Sequence, residues 1–113
     1  MTFPLEVLSP AVEDRAETWT GLDMCWRVLP THPDYGKAVV SVQFESVVWT
    51  VEIMVWSSGE TELATIRLTD DRIVNKYYDL TGRDNVAGLL DELVALLVRD
   101  EVPAAAVVFH LRG

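Results

Sequence analysis

The stretch AVVSVQFESVVWTVEIMVW, Ala38 to Trp56, contains neither glycine nor proline and is dominated by valine, isoleucine, tryptophan and phenylalanine. Branched and aromatic side chains fill a pleated surface, so this run reads as the centre of a β-sheet. Val40, Val42 and Phe44 share one parity, whereas Val47, Trp49, Val51, Ile53 and Val55 share the other. Side chains alternate across a strand, so the apolar phase flips at Glu45-Ser46 and a turn or a bulge must sit there. Neither residue readily adopts positive φ, which favours a bulge in one long bent strand over two strands.

Outward from that run, Ser57-Ser58-Gly59-Glu60 separates it from Thr61–Leu68, giving a hairpin. Asp70-Asp71 reads as a turn. Arg72–Leu80 has no clean period and stays open between helix and strand. From Asp84 to Glu101, Val86, Leu89, Leu90, Leu93, Leu96 and Leu97 recur at helical spacing, with Asp84 as cap and Pro103 as stop. Ala104–Leu111 follows as a small-residue strand able to lie beneath that helix. Toward the amino terminus, Leu5–Leu8 reads as a short strand, and Ser9 caps a helix that runs through Pro10 to about Trp19. Leu22–Leu29 reads as a strand, and the prolines and glycine of 30–36 as a loop. The expected fold is α+β, a single domain over 1–113, with an antiparallel or mixed sheet of about five strands packed on one amphipathic helix at 84–101.

Eighteen carboxylates against nine basic residues give a formal charge of −9 on a chain that is 50% hydrophobic. Such a chain folds, and its field repels phosphates and anionic lipid while drawing in basic surfaces. Nucleic acid and membrane are therefore not expected partners. No apolar run approaches the roughly 18 to 20 residues that span a bilayer. Cys25 is the only cysteine, which excludes an internal disulfide and suits a reducing cytoplasm.

Phosphate-binding loops and the Gly-x-Ser-x-Gly nucleophile motif are absent, and no cofactor is expected. The pairs Glu13-Asp14, Asp70-Asp71, Asp91-Glu92 and Asp100-Glu101 each invite a metal or acid–base role. Neighbouring residues diverge by 180° on a strand and about 100° on a helix, so solvated surface charge is the better reading. His32 and His110 are the only histidines. A small hydrolase using Cys25, or a carboxylate, with His110 is the enzymatic alternative that the composition leaves open. An unreactive packed thiol and a strand-end histidine are the plainer assignments.

Four tryptophans, Trp19, Trp26, Trp49 and Trp56, are many for so small a chain. Trp49 belongs to the apolar parity. Trp56 shares parity with Thr50, Glu52 and Met54 and should emerge beside Glu60 and Glu62, where an aromatic anchor with an acidic rim would suit a basic partner. If the amino-terminal segment covers it, Trp56 is ordinary core. Tyr77-Tyr78 forms a second candidate patch.

In size, acidity and absence of catalytic apparatus, the chain resembles the small immunity proteins of bacterial toxin systems. The resemblance lies in overall character and no motif carries it, so no residue role transfers. It implies steric occlusion of a toxin's active cleft by a carboxylate-rich surface. The expected partner-binding residues are Glu52, Trp56, Glu60 and Glu62, with Asp91 and Glu92 on the helix as second choice, in a monomer or homodimer. The alternatives are a small acidic secretion chaperone or an assembly subunit, and, less favoured, a small hydrolase.

Overall fold

The computed structural model describes residues 2–34 and 36–111. Its strands are β1 (Cys25–Asp34), β2 (Lys37–Glu45), β3 (Trp49–Trp56), β4 (Glu60–Arg67), β5 (Arg72–Asp79) and β6 (Val107–His110), and its α-helices are α1 (Leu8–Glu13), α2 (Ala16–Gly21) and α3 (Arg83–Arg99). The fold is α+β. All six strands form one antiparallel sheet in the order β1-β2-β3-β4-β5-β6, one strand more than the sequence pattern suggests. The helical layer is built by α3 together with the short α1 and α2, which share its buried cluster.

The alternation of the central strands decides which side of the sheet is covered. Val42 pairs with Ile53, and Ile53 with Leu63; Phe44 pairs with Val51, and Val51 with Thr65. These rows are buried in one cluster with Val86, Leu89, Leu90, Leu93 and Leu96 of α3. Thr61 and Thr65 sit among the apolar side chains because their hydroxyls donate to backbone carbonyls, Thr61 to Gly59 (3.1 Å) and Thr65 to Val74 (2.7 Å). Trp19 is fully buried, its indole N–H donating to the Val12 carbonyl (2.9 Å) and its ring 4.8 Å from that of Phe44.

Several local expectations are revised. The phase flip after Glu45 is a turn between two strands and no bulge. The Ser46 hydroxyl accepts from the backbone N–H of Val48 (3.1 Å) and Trp49 (3.0 Å), so a serine side chain organises the turn that positive φ would otherwise have to make. Val47 lies at its tip, 90% exposed, despite sharing the core parity. Residues 72–80 resolve as β5, because β4 offers it a full antiparallel ladder. The helix spans Arg83–Arg99, and Gly82 takes the cap position expected of Asp84. Asn85 closes this entry by accepting from the N–H groups of Thr81 (2.8 Å) and Gly82 (3.1 Å).

At the amino terminus, Leu5–Val7 is a 3₁₀ turn that leads into α1, not a strand. The helix expected to reach Trp19 breaks at Arg15, whose backbone (φ −107°, ψ 20°) leaves helical geometry while its guanidinium reaches Asp91 of α3 at 2.7 Å. Residues 30–34 continue β1 as an edge strand, where the missing proline N–H groups need cost no ladder bond. β6 is shorter than expected and is not roofed by the helix: all four of its residues are exposed. Ala105 has φ 67° and Ala106 N–H returns to the Pro103 carbonyl (3.2 Å), so residues 103–106 turn before the strand begins.

Two side-chain arrangements lock the ends of the sheet. Gly59 has φ +92°, and a Cβ there would overlap the Leu80 carbonyl oxygen. Gly59→Ala should therefore cost roughly 2 kcal/mol or more, read from the urea midpoint. At the opposite end Arg67 grips both oxygens of Asp70 (3.0 and 2.7 Å), and Arg67 and Arg72 both donate to Asp100. Arg67 holds the Asp70 carboxyl, and Arg72 the Asp100 carboxyl, below the usual carboxylate range. A carboxylate whose folded pKa is depressed adds stability that is complete above its unfolded value near ~4 and is lost as pH falls toward the folded value. The thermal midpoint should accordingly fall on acidification below about pH 5, and Asp70→Asn should flatten that slope when melting is followed by circular dichroism.

Candidate functional site

Among the described residues the three α-helices all pack into the cluster on one side of the sheet, and one end of the opposite face carries the candidate site. Its geometry starts from an irregularity in β1. Leu29 pairs with Ser41 but His32 pairs with Val39, so three steps along β1 match two along β2. The extra residue reverses the parity of β1 beyond Pro30-Thr31. Cys25, Arg27 and Leu29 face outward before it, and His32 and Asp34 after it. Asp34 thereby reaches the outer face, where its Oδ2 accepts from the indole N–H of Trp56 at 2.8 Å.

Trp56 and Tyr77 stand on this face at a cleft of about 410 Å³ whose lining also includes Asp34, Lys37, Glu60, Thr61 and Tyr78, the last two from the helix-side parity. Trp56 is half-buried, so it is neither the bare anchor nor the covered core residue that the parity argument weighs. The amino-terminal segment passes close by, Phe3 N–H donating to the Ser57 carbonyl (2.7 Å), but Phe3 itself enters the core. Tyr77 is 71% exposed and lies opposite Glu62 in register. A hydrogen bond to Glu62 pushes its phenol pKa up. The Tyr78 hydroxyl donates to Glu92 (2.7 Å), and burial first, then Glu92, raises its pKa strongly.

Lys37 donates to Glu60 at 2.7 Å and Ser58 Oγ adds a second bond at 3.1 Å. Lys37 is the main cause of a Glu60 pKa below its ordinary value. Both partners of this ion pair stay largely in water, 44% and 63% exposed at the side chain, which is the regime in which a pair contributes little and exchanges readily. Two carboxylates and the Lys37–Glu60 pair thus surround an aromatic wall: a setting for a cationic side chain laid against a ring.

Of the residues expected at a partner surface, the structure brings Trp56, Glu60 and Glu62 to this end of the outer face. Glu52 shares the face but accepts from Gln43 (3.1 Å), which itself accepts from Arg27, in a polar row away from the cleft. Asp91 and Glu92 diverge as neighbours on a helix should: Asp91 binds Arg15, while Glu92 binds Lys76 (2.9 Å) and Tyr78. Asp34, hidden inside an apparent proline loop, and Lys37, just beyond it, are site residues that the sequence pattern does not single out. The signal that could have revealed Asp34 is the resumption of alternation, one residue out of phase, after Pro30.

Cys25 and His110 do not form a nucleophilic pair. Cys25 lies on β1 and His110 on β6, at opposite edges of the sheet. Five strand spacings of about 4.8 Å put them roughly 24 Å apart. They also face opposite sides: Cys25 pairs with outward Glu45, whereas His110 pairs with Arg72, on the parity of buried Val74. His110 is exposed, its Nε2 3.8 Å from Asp70. Among the described residues no group of three or more histidine, cysteine, aspartate or glutamate side chains is placed to hold a metal ion, and no helix is long and apolar enough to cross a membrane.

A double-mutant cycle with Trp56→Phe and Asp34→Asn should return a coupling of about 1 kcal/mol in urea unfolding, the net worth of one partly buried hydrogen bond to a carboxylate. Additive single effects would mean the bond contributes nothing to folding. No family model, curated protein or solved structure matches the chain.

Proposed function

We propose that the protein is a binding module for a basic protein, acting as an immunity-type inhibitor that covers the active cleft of a toxin or effector. The observation that carries this reading is the outer-face cleft at Trp56 and Tyr77 with Asp34, Glu60 and Glu62 around it. Tryptophan and tyrosine supply rigid contact area, and the surrounding carboxylates orient and select a cation. An arginine or lysine of the partner would exchange with Lys37 at Glu60 and stack on the rings, at small cost because the pair it displaces is solvated.

The charge distribution supports the same reading. Arg15, Lys37, Arg67, Arg72, Lys76 and Arg99 each pair with a carboxylate of the chain itself. The surplus, including exposed Glu17, Glu45 and Asp79, gives the surface a negative field that steers a basic partner and opposes nucleic acid and anionic membrane. A cytoplasmic setting agrees with the single thiol. The assembly-subunit reading is favoured by one separate observation, the exposed strand β6.

The test is binding to the protein that co-purifies from the native host. Glu60→Lys combined with Glu62→Lys should weaken that complex at least about tenfold with the thermal midpoint nearly unchanged, and the wild-type association rate should rise several-fold as salt is lowered. Full affinity in the folded double mutant, or a rate indifferent to salt, would remove the cleft as the binding site.

A further inference from the structure

The two edges of the sheet are finished differently. β1 carries two prolines, an outward arginine and a bulge, all of which discourage a further strand from adding. β6, Val-Val-Phe-His, has none of these devices. It pairs with β5 on one side and bounds the sheet on the other. Val107, Val108, Phe109 and Leu111 are 56, 44, 45 and 62% exposed. An exposed apolar edge without charge, proline or bulge is a template for strand addition, here over the four residues of β6.

Charge identifies what adds. On a chain of net charge −9, a second copy is repelled almost everywhere, because both surfaces carry the same surplus. Residues 102–111 contain no aspartate, glutamate, lysine or arginine. This edge is therefore where two identical chains can meet without like charges facing each other, and it offers nothing to attract the basic partner of the cleft. On the outer face the neighbouring positions are also apolar: Phe109 pairs with Ile73, and Ile73 with Ile66.

We infer that the protein dimerises through β6, two copies pairing antiparallel about a two-fold axis so that the sheet continues from one chain into the other. Such an interface is self-complementary. It sets Val107 and Phe109 of both copies on one face, continuing the apolar row of Ile66 and Ile73 across the axis. The backbone N–H and C=O groups on the free side of β6 gain partners, and the exposed side chains lose water contact. The inference does not rest on the cleft: β6 pairs with Arg72–Asn75 of β5, whereas the cleft uses Tyr77 and Tyr78 past the end of that ladder.

The test is the mass of the full-length chain in sedimentation and light scattering over a dilution series, with amide hydrogen exchange alongside. Wild type should show twice 12.7 kDa at high concentration, and the β6 amides should exchange faster on dilution. Phe109→Lys should raise the dimer dissociation constant at least about tenfold without changing the far-ultraviolet spectrum. Should that variant fold poorly, Leu111→Lys, at a 62% exposed position beside the strand, provides the same charge. A wild-type monomer throughout the series, β6 amides indifferent to dilution, or lysine variants that dimerise like wild type would each overturn the inference.

Discussion

Which side of the sheet the leucines of α3 bury is the constraint from which the rest follows. Leu89, Leu90, Leu93 and Leu96 lie against Val42, Phe44, Val51, Ile53 and Leu63, all almost inaccessible. Each such side chain contributes on the order of 1.5–3 kcal/mol on leaving water, against the entropy of being fixed. Slipping any central strand by one residue would put Glu52, Glu60 or Glu62 into that layer, an ionic burial the fold could not support. The acidic outer face is thus the complement of the core: the same alternation that hides the valines presents the carboxylates.

Alternation alone would not have built the cleft. Without the extra residue at Pro30-Thr31, Asp34 would lie on the helix side, and the Trp56 indole N–H would lack its carboxylate. The bulge sits on an edge strand, where one side of the backbone has no ladder to disturb, and there it changes the chemistry of the face while leaving the core rows intact. A fixed tryptophan, Tyr77 and several carboxylates then meet from β1, β3, β4 and β5, residues that no short sequence window contains together.

The distribution of charge follows a similar division. Cations at sites of structural closure are consumed: Arg67 and Arg72 bind the end of α3 to the β4–β5 turn through Asp100, and Lys76 joins β5 to α3 through Glu92. Such pairs set geometry more than they add stability. Because so many positive groups are spent in this way, the excess of carboxylates falls on surfaces with no structural task, and the uncharged tract ending in β6 stands out against them.

The sequence by itself determined the class of fold, because that depends on periods. The two-residue period of Ala38–Trp56, the 3.6-residue period of α3 and the glycine of the 57–59 turn are local properties, and each appears where the pattern places it. It also determined that Trp56, Glu60 and Glu62 would share an end of one face. Tertiary structure alone decided the remainder. A serine hydroxyl turned a phase flip into a hairpin, and a ladder partner made residues 72–79 a strand. An extra residue in β1 delivered Asp34 to the site beside Lys37 of β2, and distance separated Cys25 from His110. These outcomes depend on which backbone groups lie opposite one another across strands and on where long-range partners stand, quantities that spacing along a chain does not encode.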